Sequence, residues 1–144
     1  GNVDEIVQAG ITQIPSDSWL GRAMNRAMKI CDEEKTIENA WERLHTELWT
    51  PSHSASPEAI PQIYALFRLT QGDFKRGMFW ACNFGRDADT LGAVLGAMSG
   101  ALHGVQVIPA DWIGAVRRPQ GVCLKFAANE DIVDLAKQLA DLIR

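Results

Sequence analysis

Between Leu91 and Leu102 the chain runs for 12 residues without a charged side chain, and Gly92, Gly96, Gly100 and Gly104 recur at every fourth position. Ala93, Ala97 and Ala101 each follow one step behind a glycine. A spacing of four lies along one stripe of an α-helix, so the segment predicts a helix with a nearly flat face that neighbouring helices approach closely. Glycine costs about 1 kcal/mol relative to alanine in a helix interior, and four of them demand a packing reason. Membrane helices use similar small-residue stripes, but a bilayer span needs about 20 apolar residues, more than this stretch holds. The expectation is a buried central helix in a water-surrounded fold.

The rest of the chain reads as further helices. Val3, Ile6, Val7, Ile11 and Ile14 recur at helical spacing up to Pro15, with Asp4 and Glu5 where the helix dipole favours acid. Ser16 or Asp17 is expected to cap a second helix carrying Leu20, Met24, Ala27, Met28 and Cys31. Thr36 opens a third through Leu48, with Asn39 making an imperfect capping box. Residues 51–57 form the one loop-like stretch of length. A fourth helix holds Ile60, Ile63, Tyr64, Leu66 and Phe67, with Pro61 placed in its first turn, and a fifth spans Phe74 to Asn83. A short helix from Pro109 to about Val116, a strand or extended piece over Val122 to Phe126, and a helix from Asn129 to Arg144 capped by Asn129 or Asp131 complete the pattern. No alternating run of any length competes. The fold class is therefore all-α: a compact orthogonal helical bundle around the Gly/Ala-rich helix, in a single domain over residues 1–144.

Composition narrows the partners. With 14 Lys and Arg against 18 Asp and Glu, the net charge of −4 gives no electrostatic pull towards a nucleic-acid backbone or an anionic membrane, so neither is expected as a partner. Three cysteines with no CxxC pair fit reduced thiols and a cytoplasmic setting. The chain opens at Gly1, directly before Val3-Asp4-Glu5-Ile6-Val7, which reads as a product begun inside a longer one.

Chemistry concentrates just ahead of the small-residue helix, in Asn83-Phe84-Gly85-Arg86-Asp87-Ala88-Asp89-Thr90. Two carboxylates one residue apart and a hydroxyl form a set of hard oxygen donors of the kind Mg²⁺ takes. The same residues also suit a helix start, with Asp87 as the N-cap and Asp89 in the first turn. That second reading leaves unexplained why the pair lies against Gly85 and a helix whose bare face leaves room beside the carboxylates. Arg86 either faces a phosphate or is the ion partner of its aspartate neighbours. His45, His53 and His103 are too scattered for a zinc site, no phosphate-binding glycine loop or nucleophile elbow occurs, and the five tryptophans read as core or rim residues.

The run from Asn83 to Thr90, the glycine stripe through Gly104, and Ile108-Pro109-Ala110-Asp111-Trp112 together resemble the C-terminal signature of the ADP-ribosylglycohydrolase family, which includes ADP-ribosyl hydrolases and dinitrogenase-reductase-activating glycohydrolases. The upstream order is similar: Ile14-Pro15 before Asp17-Ser18, then Pro57-Glu58-Ala59-Ile60-Pro61, then Gly72-Asp73-Phe74. The resemblance implies an all-α hydrolase with two Mg²⁺ (or Mn²⁺) ions that cleaves the glycosidic bond between ADP-ribose and an acceptor. Arginine, serine, an acetyl ester and a small nucleotide conjugate all fit as that acceptor. Carried onto this chain, it implies Asp87, Asp89 and Thr90 as metal ligands, with Gly85 and Arg86 beside the ribose-phosphate part.

Two departures follow. Many members have glycine and threonine where this chain has Arg86 and Ala88, which leaves the oxygen donors intact but alters the rim. The family's other metal-binding segment, a Gly-Asp-rich motif near its N-terminus with the general acid or base, has no match here. The chain is thus expected to be the C-terminal half of the fold, inactive alone, and completed by a missing N-terminal half or complementary fragment, with self-association as a further possibility. The alternative is a catalytically silent helical module used in binding or assembly.

Overall fold

The computed structural model describes residues 2–143; Gly1, and Arg144 at the end of the last expected helix, lie outside them. All regular structure among the described residues is helical, in the order α1 (Val3–Ile11), α2 (Trp19–Glu34), α3 (Ile37–Glu47), α4 (Ser56–Leu69), α5 (Phe74–Phe84), α6 (Ala88–His103), α7 (Ala110–Val116) and α8 (Ile132–Asp141), with 3-10 turns at Val105–Val107 and Lys125–Ala127. The all-α expectation holds. The expected extended piece at Val122 to Phe126 is instead loop running into the second 3-10 turn. No described helix is long and apolar enough to cross a membrane.

The chain divides into two units, the first ending at Val107 and the second starting at Ile108. In the first unit α4 is the innermost helix, burying Glu58, Ala59, Pro61, Gln62, Ile63, Ala65, Leu66 and Phe67, and it packs against α2, α6, α1, α5 and α3. Met24, Ala27 and Ile30 of α2, Ile37, Ala40 and Leu44 of α3, and Leu91 and Leu95 of α6 close the core around it. Burial of this much aliphatic surface is the main force holding the unit together.

The expectation of a fully buried glycine helix is corrected. Only Leu91, Leu95 and Ser99 of α6 are buried, while Ala93, Val94, Ala97 and Ala101 are exposed, so α6 packs by one face and leaves the other open. A Cβ added at Gly92 or Gly100 would meet nothing within 4 Å. The close helix approach falls elsewhere, at Gly77 of α5, where an added Cβ would come within 2.8 Å of Leu95 Cδ2. An uncharged small-residue run reads as burial from sequence, but burial needs a neighbour, and α6 has neighbours on one side.

Helix starts move for similar local reasons. Ser18, not Ser16 or Asp17, caps α2 by accepting from the Gly21 amide at 2.9 Å, because a turn bonding the Ser18 amide to Pro15 O occupies the residues before it. Because α4 begins at Ser56, Pro57 takes the first turn and Pro61 sits inside the helix, against the expectation for Pro61. Asn2 and Glu5 form a full capping box on α1.

In the second unit Asp131 caps α8 through the amides of Val133 and Asp134, and its carboxylate also accepts from Arg117 Nε at 2.8 Å and Arg118 Nη2 at 3.0 Å. Neither α7 nor α8 buries a residue, and α8 stops at Asp141, short of its expected end. All three cysteines are free; Cys31 is buried, which pushes its thiol up to about 12, whereas Cys82 and Cys123 are exposed.

Candidate functional site

The turn between α5 and α6 carries the candidate oxygen donors. Phe84 anchors its near end in the core, and then Gly85 and Arg86 both take positive φ, +72° and +54°. Glycine adopts that conformation freely, but an arginine there costs on the order of 1 kcal/mol. These two positive-φ residues form the turn that delivers Asp87 to the start of α6.

Asp87 stands at the N-cap position, yet its carboxylate caps no amide. It accepts instead from Thr90 Oγ1 at 3.0 Å, so the helix-start reading accounts for its place and not for its side chain. Asp87 is buried and Thr90 half-buried, whereas Asp89 is exposed and makes no hydrogen bond or ion pair with any described residue. The three donors therefore share the first turn of α6, at the positive end of its dipole. Room exists beside them: a Cβ at Gly85 or Gly92 would meet nothing within 4 Å. In kind these hard oxygens fit Mg²⁺; in number they fall short, since no group of three or more His, Cys, Asp or Glu among the described residues gathers to hold an ion.

Arg86 pairs with neither adjacent aspartate. Its Nε donates to Glu58 Oε1, its Nη2 donates to Glu58 Oε2 at 3.0 Å and to Thr50 O at 2.7 Å, and its guanidinium lies 5.4 Å over the Trp49 ring. Glu58, on the first turn of α4, is wholly buried and also accepts from the Thr50 amide at 2.6 Å and Thr50 Oγ1 at 2.9 Å. Burial pushes the Glu58 carboxyl upward, but the Arg86 and Thr50 hydrogen bonds outweigh it and hold the group below the usual carboxylate range. The same pairing keeps Arg86 more firmly protonated than usual.

Sequence reasoning missed Glu58, Thr50 and Trp49 as neighbours of this turn. One signal was present: Glu58 directly precedes Ala59 and stands one turn ahead of Gln62 and Ile63 on a helix face that is otherwise buried, where an acid needs a partner.

Comparison with known proteins gives the turn a context. Over 100 residues the chain is 33% identical to the ADP-ribosyl-[dinitrogen reductase] glycohydrolase of Rhodospirillum rubrum, covering 65% of this chain and 34% of that protein. Over 89 residues it is 35% identical to the Uncharacterized protein YegU of Escherichia coli (strain K12), covering 62% of this chain and 26% of that protein. The matched part thus spans between a quarter and a third of the length of these curated relatives. No solved structure matches the chain. The family model described as ADP-ribosylglycohydrolase matches residues 1–144, the whole of the sequence, and on that ground the chain belongs to the ADP-ribosylglycohydrolase family.

Proposed function

We propose that the chain is the C-terminal portion of an ADP-ribosylglycohydrolase-like helical domain, and that it supplies Asp87, Asp89 and Thr90 to a two-Mg²⁺ site. The complete enzyme would hydrolyse the glycosidic bond between ADP-ribose and an acceptor on a protein side chain or small molecule. Family membership supports the reaction class, and the printed name of the Rhodospirillum rubrum relative agrees with it. The observation that carries the site is local: the Asp87 carboxylate caps nothing and meets the Thr90 hydroxyl, while Asp89 is unpaired among the described residues.

When bound, Mg²⁺ (or Mn²⁺) supplies the charge that orients ribose hydroxyls and phosphates and favours attack of water at the anomeric carbon. The carboxylates of Asp87 and Asp89 and the Thr90 hydroxyl would hold it. Gly85 leaves space for the ribose-phosphate part, and Arg86 borders that space. The general acid or base, and the ligands beyond these three, come from outside this chain, from an N-terminal half or a complementary fragment. The chain alone is then inactive.

A second reading, a silent helical module acting in binding or assembly, including self-association, is favoured by the shortfall of ligands among the described residues. Thermal unfolding with and without Mg²⁺ and ADP-ribose separates the two, run on this chain and on the product of its full coding region. The enzyme reading expects stabilisation in the latter that Asp87→Ala removes. No response in either protein would count against the enzyme reading and favour the silent module.

A further inference from the structure

Glu58 and Arg86 lie outside the oxygen cluster, yet they determine the turn that carries it. The Glu58 carboxylate takes four hydrogen bonds, two from Thr50 and two from Arg86, and is wholly buried while doing so. Arg86 spends Nε and Nη2 on Glu58 and Thr50 O, and its guanidinium is stacked on Trp49. One side chain thereby ties the turn before α6 to the first turn of α4 and to the segment after α3. The backbone of Arg86 is left-handed, a conformation for which glycine is the default. An arginine holds it because its guanidinium is fixed at several points, the condition under which such strain persists. The direction of the side chain matters as well. Next to Asp87 and Asp89, an arginine has two carboxylates within easy reach, and pairing with either would neutralise a donor; here it turns to Glu58 instead.

We propose that Glu58 and Arg86 are positioning residues: their forked ion pair locks the turn at 85–87 and so sets where Asp87, Asp89 and Thr90 present their oxygens. The inference rests on the reading of those three as a ligand cluster. It requires the pair to act on the three donors through the backbone of the turn, in addition to any place Arg86 has at the rim of the ribose-phosphate space.

The test uses the 144-residue chain in three forms, wild type, Arg86→Gln and Arg86→Lys. Glu58→Gln serves as a second probe of the pair, since removing the wholly buried partner carries the greater risk to folding. Backbone ¹⁵N relaxation reads the order of residues 85–90, and broadening of the same amides by Mn²⁺ alone reads ion binding. Arg86→Gln is expected to lower the order parameters at 85–90 from about 0.85 to below about 0.6 while the core of α2 keeps its values. It is also expected to weaken Mn²⁺ binding at least about tenfold, roughly one pKd unit, with Arg86→Lys in between because it keeps the charge but loses the fork. Order parameters at 85–90 that match wild type, or that fall equally across α2, would overturn the inference. A wild-type chain that Mn²⁺ leaves unbroadened shows only that three donors are too few to hold the ion without the rest of the site, and the relaxation result by itself then decides the lock.

Discussion

At the scale of single residues, the wholly buried Glu58 and its forked partner are the point where charge and stability meet. Glu58→Gln turns one accepting oxygen into an amide donor that faces the Thr50 and Arg86 donors, and a buried donor without an acceptor costs about 1–3 kcal/mol. The unfolding free energy is expected to fall by about that amount near neutral pH, read from urea denaturation. The pH dependence has a definite sign. The Glu58 carboxyl lies below its ordinary value of 4.5 in the folded chain, so the folded state binds fewer protons than the unfolded one as that group titrates. Its contribution is complete above about 4.5 and is lost as the pH falls through the lower folded value. Denaturation midpoints followed from pH 6 to 3 are expected to fall more steeply for wild type than for Glu58→Gln; parallel curves would show that the pair contributes nothing.

At the scale of elements, α6 shows what periodicity conveys and what it leaves out. Its helical character was legible because a four-residue repeat admits little else, and the same holds for α1 to α5, whose apolar residues recur at three and four. Its surroundings were not legible. Leu91, Leu95 and Ser99 are buried because α4 and α5 lie against them, and Gly96 lies against Phe74 and Met78 of α5, whereas Gly92 and Gly100 face open space because no described residue reaches them. Caps shifted for a related reason: whether Ser16, Asp17 or Ser18 closes a helix depends on the turn that precedes it. Of the candidate site, the contiguous donors Asp87, Asp89 and Thr90 could be read directly, whereas Glu58 could not, since it meets Arg86 across 28 positions of sequence. The open glycines make a prediction at this level. Gly92→Ala and Gly100→Ala meet no neighbour, so each is expected to stabilise the chain by up to about 1 kcal/mol through helix propensity, measured by thermal or urea unfolding. A loss of stability would mean that these positions are packed in solution.

At the scale of the whole molecule, the two units differ in what they own. The first carries the buried core and the candidate site, whereas no helix of the second buries a residue. A chain ending at Val107 is therefore expected to unfold cooperatively, with its near-ultraviolet circular dichroism retained; a molten chain would show that the first unit does not stand alone. The Arg86 bond to Glu58 also bears on the order of assembly. Asp87, Asp89 and Thr90 are neighbours in sequence, but the turn that presents them is held by a residue in the first turn of α4 and by the segment after α3. The turn and its oxygen cluster are therefore set only once α4 and the segment after α3 are in place. A peptide covering residues 74–104 would carry all three donors and lack the lock on their turn, a contiguous motif completed by a distant part of the chain.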